Sequence, residues 1–173
     1  MFEKEYKFLV NQIPYSENVV FIKQYYFDTE KLLRVAIKWL KLDTNQTKEI
    51  DSIRVRQCIF ENETKYFLTA KSKGDFCRQE YETQIPAHLA TNLLKFANKF
   101  IEKSRNILTI DNLKFEFDFY YNRKDKLKVC EVEVKNGDEY QKILKILTKD
   151  LGLKVKDITF DNQFKNFNLA KEL

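Results

Sequence analysis

The stretch FEKEYKFLV, residues 2–10, alternates with a period of two. Read as a strand, it sends Phe2, Tyr6, Phe8 and Val10 to one face, with Lys4 among them, and Glu3, Glu5 and Lys7 to the other. Like charges side by side on a strand face repel. Two carboxylates and an ammonium in a row therefore need a physical reason.

The pattern recurs along the chain. Arg54 and Arg56 share a face in SIRVRQC, with Ile53 and Val55 opposite. Lys71 and Lys73 share a face in YFLTAKSKG, opposite Leu68 and Ala70. Arg78, Glu80 and Glu82 fall at spacing two in CRQEYET, as do Lys103 and Arg105 in IEKSRNI. Glu116 and Asp118 alternate with Phe115, Phe117, Phe119 and Tyr121, and Glu131 and Glu133 with Cys130, Val132 and Val134. One such strand is an ordinary sheet strand, wet on one face and packed on the other. Seven of them, acidic near both ends of the chain and basic in the middle, predict a sheet whose apolar face lies under helices and whose charged face curls around an interior. An unpaired buried charge costs several kcal/mol, and a dozen would exceed a total stability of ~5–15 kcal/mol. The interior is therefore expected to be wet, with acids set against bases or bound ions.

The chain has 173 residues, a length suited to one domain, 1–173. Its 31 Lys plus Arg against 26 Asp plus Glu give a net charge of +5, which suits an anionic ligand without singling out nucleic acid. Aromatics at 14% argue against disorder. No stretch approaches the ~20 apolar residues of a membrane helix, and the charged start predicts no secretory signal. A membrane barrel also reads polar-in and apolar-out, but the interspersed helices and Lys-rich turns argue against it. The three cysteines, Cys58, Cys77 and Cys130, are dispersed, which predicts reduced thiols, two or three packed as small hydrophobes, and a cytoplasmic setting. The single histidine, His88, is expected on a helix surface.

Strands are predicted over 2–10, 19–27, 52–60, 65–73, 77–84, 101–110, 113–121 and 127–135. Helices are predicted over 86–100, opened by Pro86, and over 138–152, closed by Gly152. The stretch 30–42 also reads as a helix. Turn signals fall at 61–64, 73–75, 110–112 and 122–126.

Carboxylates at spacing two on neighbouring strands suit a hard divalent cation, Mg²⁺ or Mn²⁺. Arginines and lysines on the other walls suit phosphates, Arg through its fork and Lys as a point charge. No Cys/His cluster offers a zinc site, and three glycines cannot build a Walker loop. With His88 alone, a side-chain nucleophile finds no partner, and metal-activated water is the expected nucleophile.

With these residues in order, the chain resembles the CYTH, or triphosphate tunnel metalloenzyme, superfamily. EKEYK (3–7) fits its E-x-E-x-K signature, followed by QYYFDT (24–29), IRVR (53–56), LTAK (68–71), RQEYE (78–82), KSR (103–105), FEFD (115–118), EVEV (131–134) and a closing DNQFKNFNLA (161–170). The resemblance implies a mainly β (α+β) fold: an eight-stranded antiparallel barrel, open at both ends, with a charged interior and a few covering helices. It implies that Glu3, Glu5, Glu131 and Glu133 hold metal with Asp118 contributing, and that Glu3, Glu5, Lys7, Glu131 and Glu133 form the catalytic set. Glu80, Glu82 and Glu116 would line the tunnel with Asp118. Lys7, Arg54, Arg56, Lys71, Arg105 and Lys165 would hold phosphates, with Lys73, Arg78 and Lys103 as further basic groups. The chain departs from the short bacterial pattern over 30–50, where the extra length is expected to form a packed helix, cap a tunnel end or make a dimer surface.

The expected activity is metal-dependent hydrolysis of inorganic triphosphate, in the manner of the small bacterial triphosphatases. Thiamine triphosphate or nucleoside triphosphate hydrolysis, class IV-type adenylate cyclisation and a non-catalytic polyphosphate- or nucleotide-binding module are the alternatives. The expected partner is a triphosphate-containing small molecule, with no nucleic acid and no membrane, and the protein itself a monomer or homodimer. A nucleic-acid barrel would show basic and aromatic residues together with few acids among them; here the acids share the basic face.

Overall fold

The computed structural model describes residues 2–74, 76–123, 125–135 and 138–172. The predicted turns at 73–75 and 122–126 therefore include Asp75 and Lys124, which lie outside the described residues. Eight strands close into an antiparallel barrel: β1 (Phe2–Val10), β2 (Val19–Tyr26), β3 (Ile50–Ile59), β4 (Thr64–Ser72), β5 (Cys77–Ile85), β6 (Lys99–Ile110), β7 (Leu113–Tyr120) and β8 (Lys128–Glu133). Around the barrel the order is β1-β5-β4-β3-β2-β6-β7-β8, and β8 returns to β1. Each strand lies within two residues of its sequence-based expectation, because the alternation that marks the strands is also what closure requires: every residue faces in or out.

The outward face is apolar and carries the helices. α1 (Thr29–Leu40) and α3 (Ala87–Leu94) lay Leu32, Ala36, Ala90 and Leu93 over Ile53 and Val55 of β3, Leu68 and Ala70 of β4 and Ile85 of β5. On the other flank, α4 (Tyr140–Lys145) runs into a π-helical turn (Ile146–Asp150). Ile143, Ile146 and Leu147 pack there on Phe8, Phe115, Phe117, Cys130 and Val132. The segment 30–50 thus forms α1 as a packed helix on the barrel wall. A second short helix, α2 (Thr44–Glu49), follows it. Its start is fixed by a capping box in which the Asp43 carboxylate accepts from the N–H groups of Asn45 and Gln46, both at 2.8 Å.

Two helix expectations need correction. The predicted 86–100 helix ends at Leu94, because Lys99 and Phe100 pair with Tyr26 and Tyr25 of β2 and the Asn98 N–H bonds the Tyr26 carbonyl. Joining a strand edge satisfies more backbone groups than two further helical turns in which Phe96 is 62% exposed. The predicted 138–152 helix becomes α4 plus the π turn, with the Leu151 N–H reaching back five residues to the Ile146 carbonyl. The β6–β7 hairpin follows its turn signal: Asp111 and Asn112 both take positive φ, at 52° and 63°, as a type I′ turn requires.

Inside, two layers differ. Towards one end the inward positions Leu9, Tyr26, Ile101, Tyr120 and Val129 are apolar or aromatic, and the C-terminal segment seats Phe164 and Leu169 among them. This segment, a 3₁₀ turn (Asn162–Phe164) and α5 (Asn166–Leu169), continues into β10 (Lys171–Glu172) on the edge of β6; β9 (Val155–Asp157) pairs with the end of β1. Further inward positions hold a second apolar cluster, Val20 and Ile22 of β2 with Cys58, Phe67 and Ile107, and the rest of the interior is mainly charged. Phe117 on the outer face of β7 is fully buried, and Phe117→Ala is expected to cost about 3–5 kcal/mol, read as a lower denaturation midpoint with the transition remaining cooperative.

Candidate active site

Inward side chains come in pairs because adjacent strands put residues of equal parity side by side. The register sets Lys7 opposite Glu131, Glu5 opposite Glu133, Glu3 opposite Arg78, Lys71 opposite Glu80, Arg105 opposite Asp118 and Glu116 opposite Glu131. From this register an unbroken chain of ion pairs forms across the interior. Lys103 meets Asp118 at 2.5 Å, Asp118 meets Arg105 at 2.7 Å, Arg105 meets Glu131 at 2.7 Å, and Glu131 meets Lys7 at 2.9 Å. It continues from Lys7 to Glu5 at 3.0 Å, Glu5 to Arg78 at 3.0 Å, Arg78 to Glu3 at 3.1 Å, Glu3 to Lys71 at 2.7 Å, Lys71 to Glu80 at 2.5 Å and Glu80 to Arg54 at 3.5 Å. Every barrel strand but β2 contributes; β2 instead points in Gln24 and Tyr26, which hydrogen-bond each other. Beside the chain, Arg56 donates to both oxygens of Glu82 at 2.8 Å and the Thr69 hydroxyl donates to Glu82 at 2.6 Å. Arg105 also binds Glu116, which pairs with Lys114.

These groups surround a cavity of about 240 Å³ lined by seven acids or bases of each sign: Glu3, Glu5, Glu80, Glu82, Glu116, Glu131 and Glu133 against Arg54, Arg56, Lys71, Arg78, Lys103, Arg105 and Lys114, with Gln24 and Asn166. The cavity opens two ways. Arg54, Lys71, Arg78 and Asn166 also line a 370 Å³ space that adds Lys7, Lys165 and the C-terminal Asn162, Phe167 and Asn168. Glu3, Glu80, Glu82 and Glu133 also line a 590 Å³ depression on the far side, flanked by Tyr81 and by Trp39, Leu40 and Lys41 at the end of α1. The passage has a basic mouth and an acidic mouth.

Of the residues expected from sequence, thirteen charged groups of the cavity wall stand where the alternation predicts: Glu3, Glu5, Arg54, Arg56, Lys71, Arg78, Glu80, Glu82, Lys103, Arg105, Glu116, Glu131 and Glu133. Lys7 and Lys165 stand at the basic mouth. Lys73 does not join them, because β4 ends at Ser72 and Lys73 is exposed beyond it. Asp118 lies behind the wall, fully buried under Lys103 and Arg105. Sequence reasoning missed Gln24, Thr69, Lys114 and Tyr120; the Tyr120 hydroxyl donates to Asn166 at 2.7 Å and ties the C-terminal segment to the barrel. Their inward parity was readable; Gln24, Thr69 and Tyr120 are uncharged and carry no sign pattern, while Lys114 stood in plain view at spacing two from Glu116. His88 is exposed on α3, and Cys58 and Cys130 are buried while Cys77 is exposed, all three as free thiols.

Charge states follow from the pairing. Burial alone disfavours ionised Lys7, but Glu131 and Glu5 outweigh it and hold the ammonium above its ordinary range. Burial likewise raises Glu131, yet Lys7, Lys103 and Arg105 bring its carboxyl well below the usual value. Burial, reinforced by Arg54, lowers Lys71, and burial lowers Lys103 against the pull of Asp118. Glu133 differs: burial, then the charges of Glu3, Glu116 and Glu5, push it up against the opposing pull of Lys114, and it makes no ion pair among the described residues. A carboxylate facing three others and ion-paired with none of the described bases is the point where a hard cation fits. No three acidic, His or Cys side chains form a ready cage among the described residues, so oxygens from a ligand would complete such a site.

The chain belongs to the CYTH family, whose domain matches residues 1–164. An inorganic triphosphatase of Nitrosomonas europaea is 32% identical over 126 residues, spanning 72% of this chain and 79% of that protein. The crystal structure of the inorganic triphosphatase NE1496 aligns with a TM-score of 0.60 at 28% identity, covering 97% of this chain and 93% of that one. The PH1819 protein from Pyrococcus horikoshii OT3 shares the fold, with a TM-score of 0.56 at 19% identity over 89% of this chain and 93% of that one.

Acid should dismantle the network. Glu80, Glu82, Glu116 and Glu131 all sit below their ordinary 4.5. Their stabilisation is fully present above that value and is lost as pH falls through the lower folded-state values. Denaturation midpoints should stay level from pH 7 to about 5 and drop steadily below about 4.5, with a shallower drop in Glu131→Gln.

Proposed function

We propose that residues 1–173 act as one domain that hydrolyses inorganic triphosphate with Mg²⁺ or Mn²⁺ in the barrel cavity. The observation that carries this reading is the balanced wall, seven charges of each sign around the barrel cavity. A neutral wall gains less from a polyanion alone, or from a cation alone, than from the two together. A triphosphate that arrives with its cations lets both kinds of wall charge exchange partners at once: phosphate oxygens take the lysines and arginines, and the released carboxylates take the cations. The triphosphatase relatives support the substrate class.

In this reading the anion enters at the basic mouth, where Lys7 and Lys165 meet it. Arg54, Lys71 and Arg78, which line both the mouth and the cavity, pass it inward. Arg105, Lys103 and Arg56 hold the deep phosphate and neutralise charge that builds on its equatorial and leaving oxygens. A water oxygen bonds to the terminal phosphorus as the bridging P–O bond opposite it breaks, giving phosphate and diphosphate, and the water's proton passes to solvent or to a released carboxylate. Glu3, Glu5, Glu131 and Glu133 would hold the metal, which when bound supplies charge neutralisation and a more acidic water.

Purified protein should release phosphate from tripolyphosphate when Mg²⁺ or Mn²⁺ is present and stop when a chelator is added. The same panel with ATP, thiamine triphosphate and pyrophosphate, scored also for cyclic AMP, ranks the alternative substrates. Glu133→Gln breaks no ion pair, so it should leave the unfolding free energy within about 0.5 kcal/mol of wild type while lowering turnover at least 100-fold. Tripolyphosphate turnover equal to that of Glu133→Gln would overturn the reading.

A further inference from the structure

Asp118 shares its strand face with Glu116, and the spacing alone makes it one more acid for a cation. Its surroundings say otherwise. The side chain has no exposed surface, and it is absent from the cavity wall although its two partners line that wall. Arg105 grips it with both prongs, Nε to Oδ1 at 2.7 Å and a terminal nitrogen to Oδ2 at 2.7 Å. Lys103 donates to the same Oδ2 at 2.5 Å. Each oxygen is thus taken by a charged donor that lies between it and the cavity.

Lys103 and Arg105 sit two residues apart on β6 and face the same way. Without a counter-charge behind them they would repel each other, and their long side chains would have several rotamers to choose from. The bidentate grip fixes the plane of the Arg105 guanidinium and leaves its outer edge to Glu131 and Glu116. We propose that Asp118 is a positioning residue for the phosphate-binding wall: it aims Lys103 and Arg105 into the cavity and does not itself bind the cation. This rests on the reading of the cavity as a triphosphate site.

The two roles predict opposite signs in the absence of metal. If Asp118 were a cation ligand, removing its charge would relieve repulsion of an anion, and tripolyphosphate would bind more tightly in EDTA. If it positions the basic pair, Asp118→Asn loosens that pair and binding weakens. The experiment is calorimetric titration of the full chain with tripolyphosphate in EDTA, for wild type, Asp118→Asn, Lys103→Met and the double variant. The expected result is a Kd at least tenfold weaker in Asp118→Asn. It also includes a loss in the double variant smaller than the sum of the two single losses, since part of what Asp118 does acts through Lys103 and the remainder through Arg105. With metal restored, KM for tripolyphosphate should rise by more than kcat falls. The double variant removes a buried pair together and guards against misfolding of the single one. Tighter or unchanged binding in Asp118→Asn, or additive losses in the double variant, overturns the proposal while leaving the triphosphate reading intact. No binding by wild type in EDTA overturns the proposal, whereas no phosphate release from tripolyphosphate with metal present overturns the triphosphate reading beneath it.

Discussion

Every feature of this molecule depends on one constraint: a closed barrel has no outside edge on which to leave its inward charges. Once β8 returns to β1, the acids and bases of one strand have only those of the other strands around the interior to answer them. The run from Lys103 to Arg54 is that answer, and each member but the two ends touches two partners of opposite sign. Removing one member strands its neighbours, whereas exchanging partners for a ligand's charges does not. The wall is held in place by contacts a polyanion can replace.

The helices matter to the site through the outer face. They cover the apolar residues that alternate with the charged ones, so α1, α3 and α4 fix which way each strand's inward set points. A one-residue slip of β7 would bring Phe117 inside and put Asp118 against Ile143 and Leu147. The two packed flanks are what make the charged register the only affordable one.

Much of this was legible in the sequence, because strand alternation encodes face and the barrel turns face into position. FEKEYKFLV, FEFD and EVEV gave the inward acids directly. Depth was not legible: parity puts Asp118 inside with Glu116, but only the three-dimensional pairing sends one behind the wall and the other onto it. Length was not legible at Lys73, where the parity holds and the strand has already ended. The short helix α2 carried a local signal, the Asp43 and Gln46 capping box, that went unread, whereas the edge strands β9 and β10 and the early end of α3 depend on partners distant in sequence, such as Tyr26 for Asn98. The C-terminal segment was visible as a motif, yet nothing local announces that Leu169 will sit among Tyr26, Ile101 and Tyr120.

The equality of charges within the cavity has a consequence for how a ligand arrives. Seven of each sign cancel, Lys7 and Asp118 cancel likewise, and so the chain's excess of +5 belongs to the rest of the molecule, mouth and outer surface included. That excess acts at long range and draws polyanions of any kind toward the protein, with an encounter rate that falls as ionic strength rises and the Debye length shrinks to about 8 Å. Selection happens later, inside, where the wall charges sum to zero and a ligand carrying its own matching cations fits best. Capture and discrimination are thereby assigned to different parts of the same charge inventory.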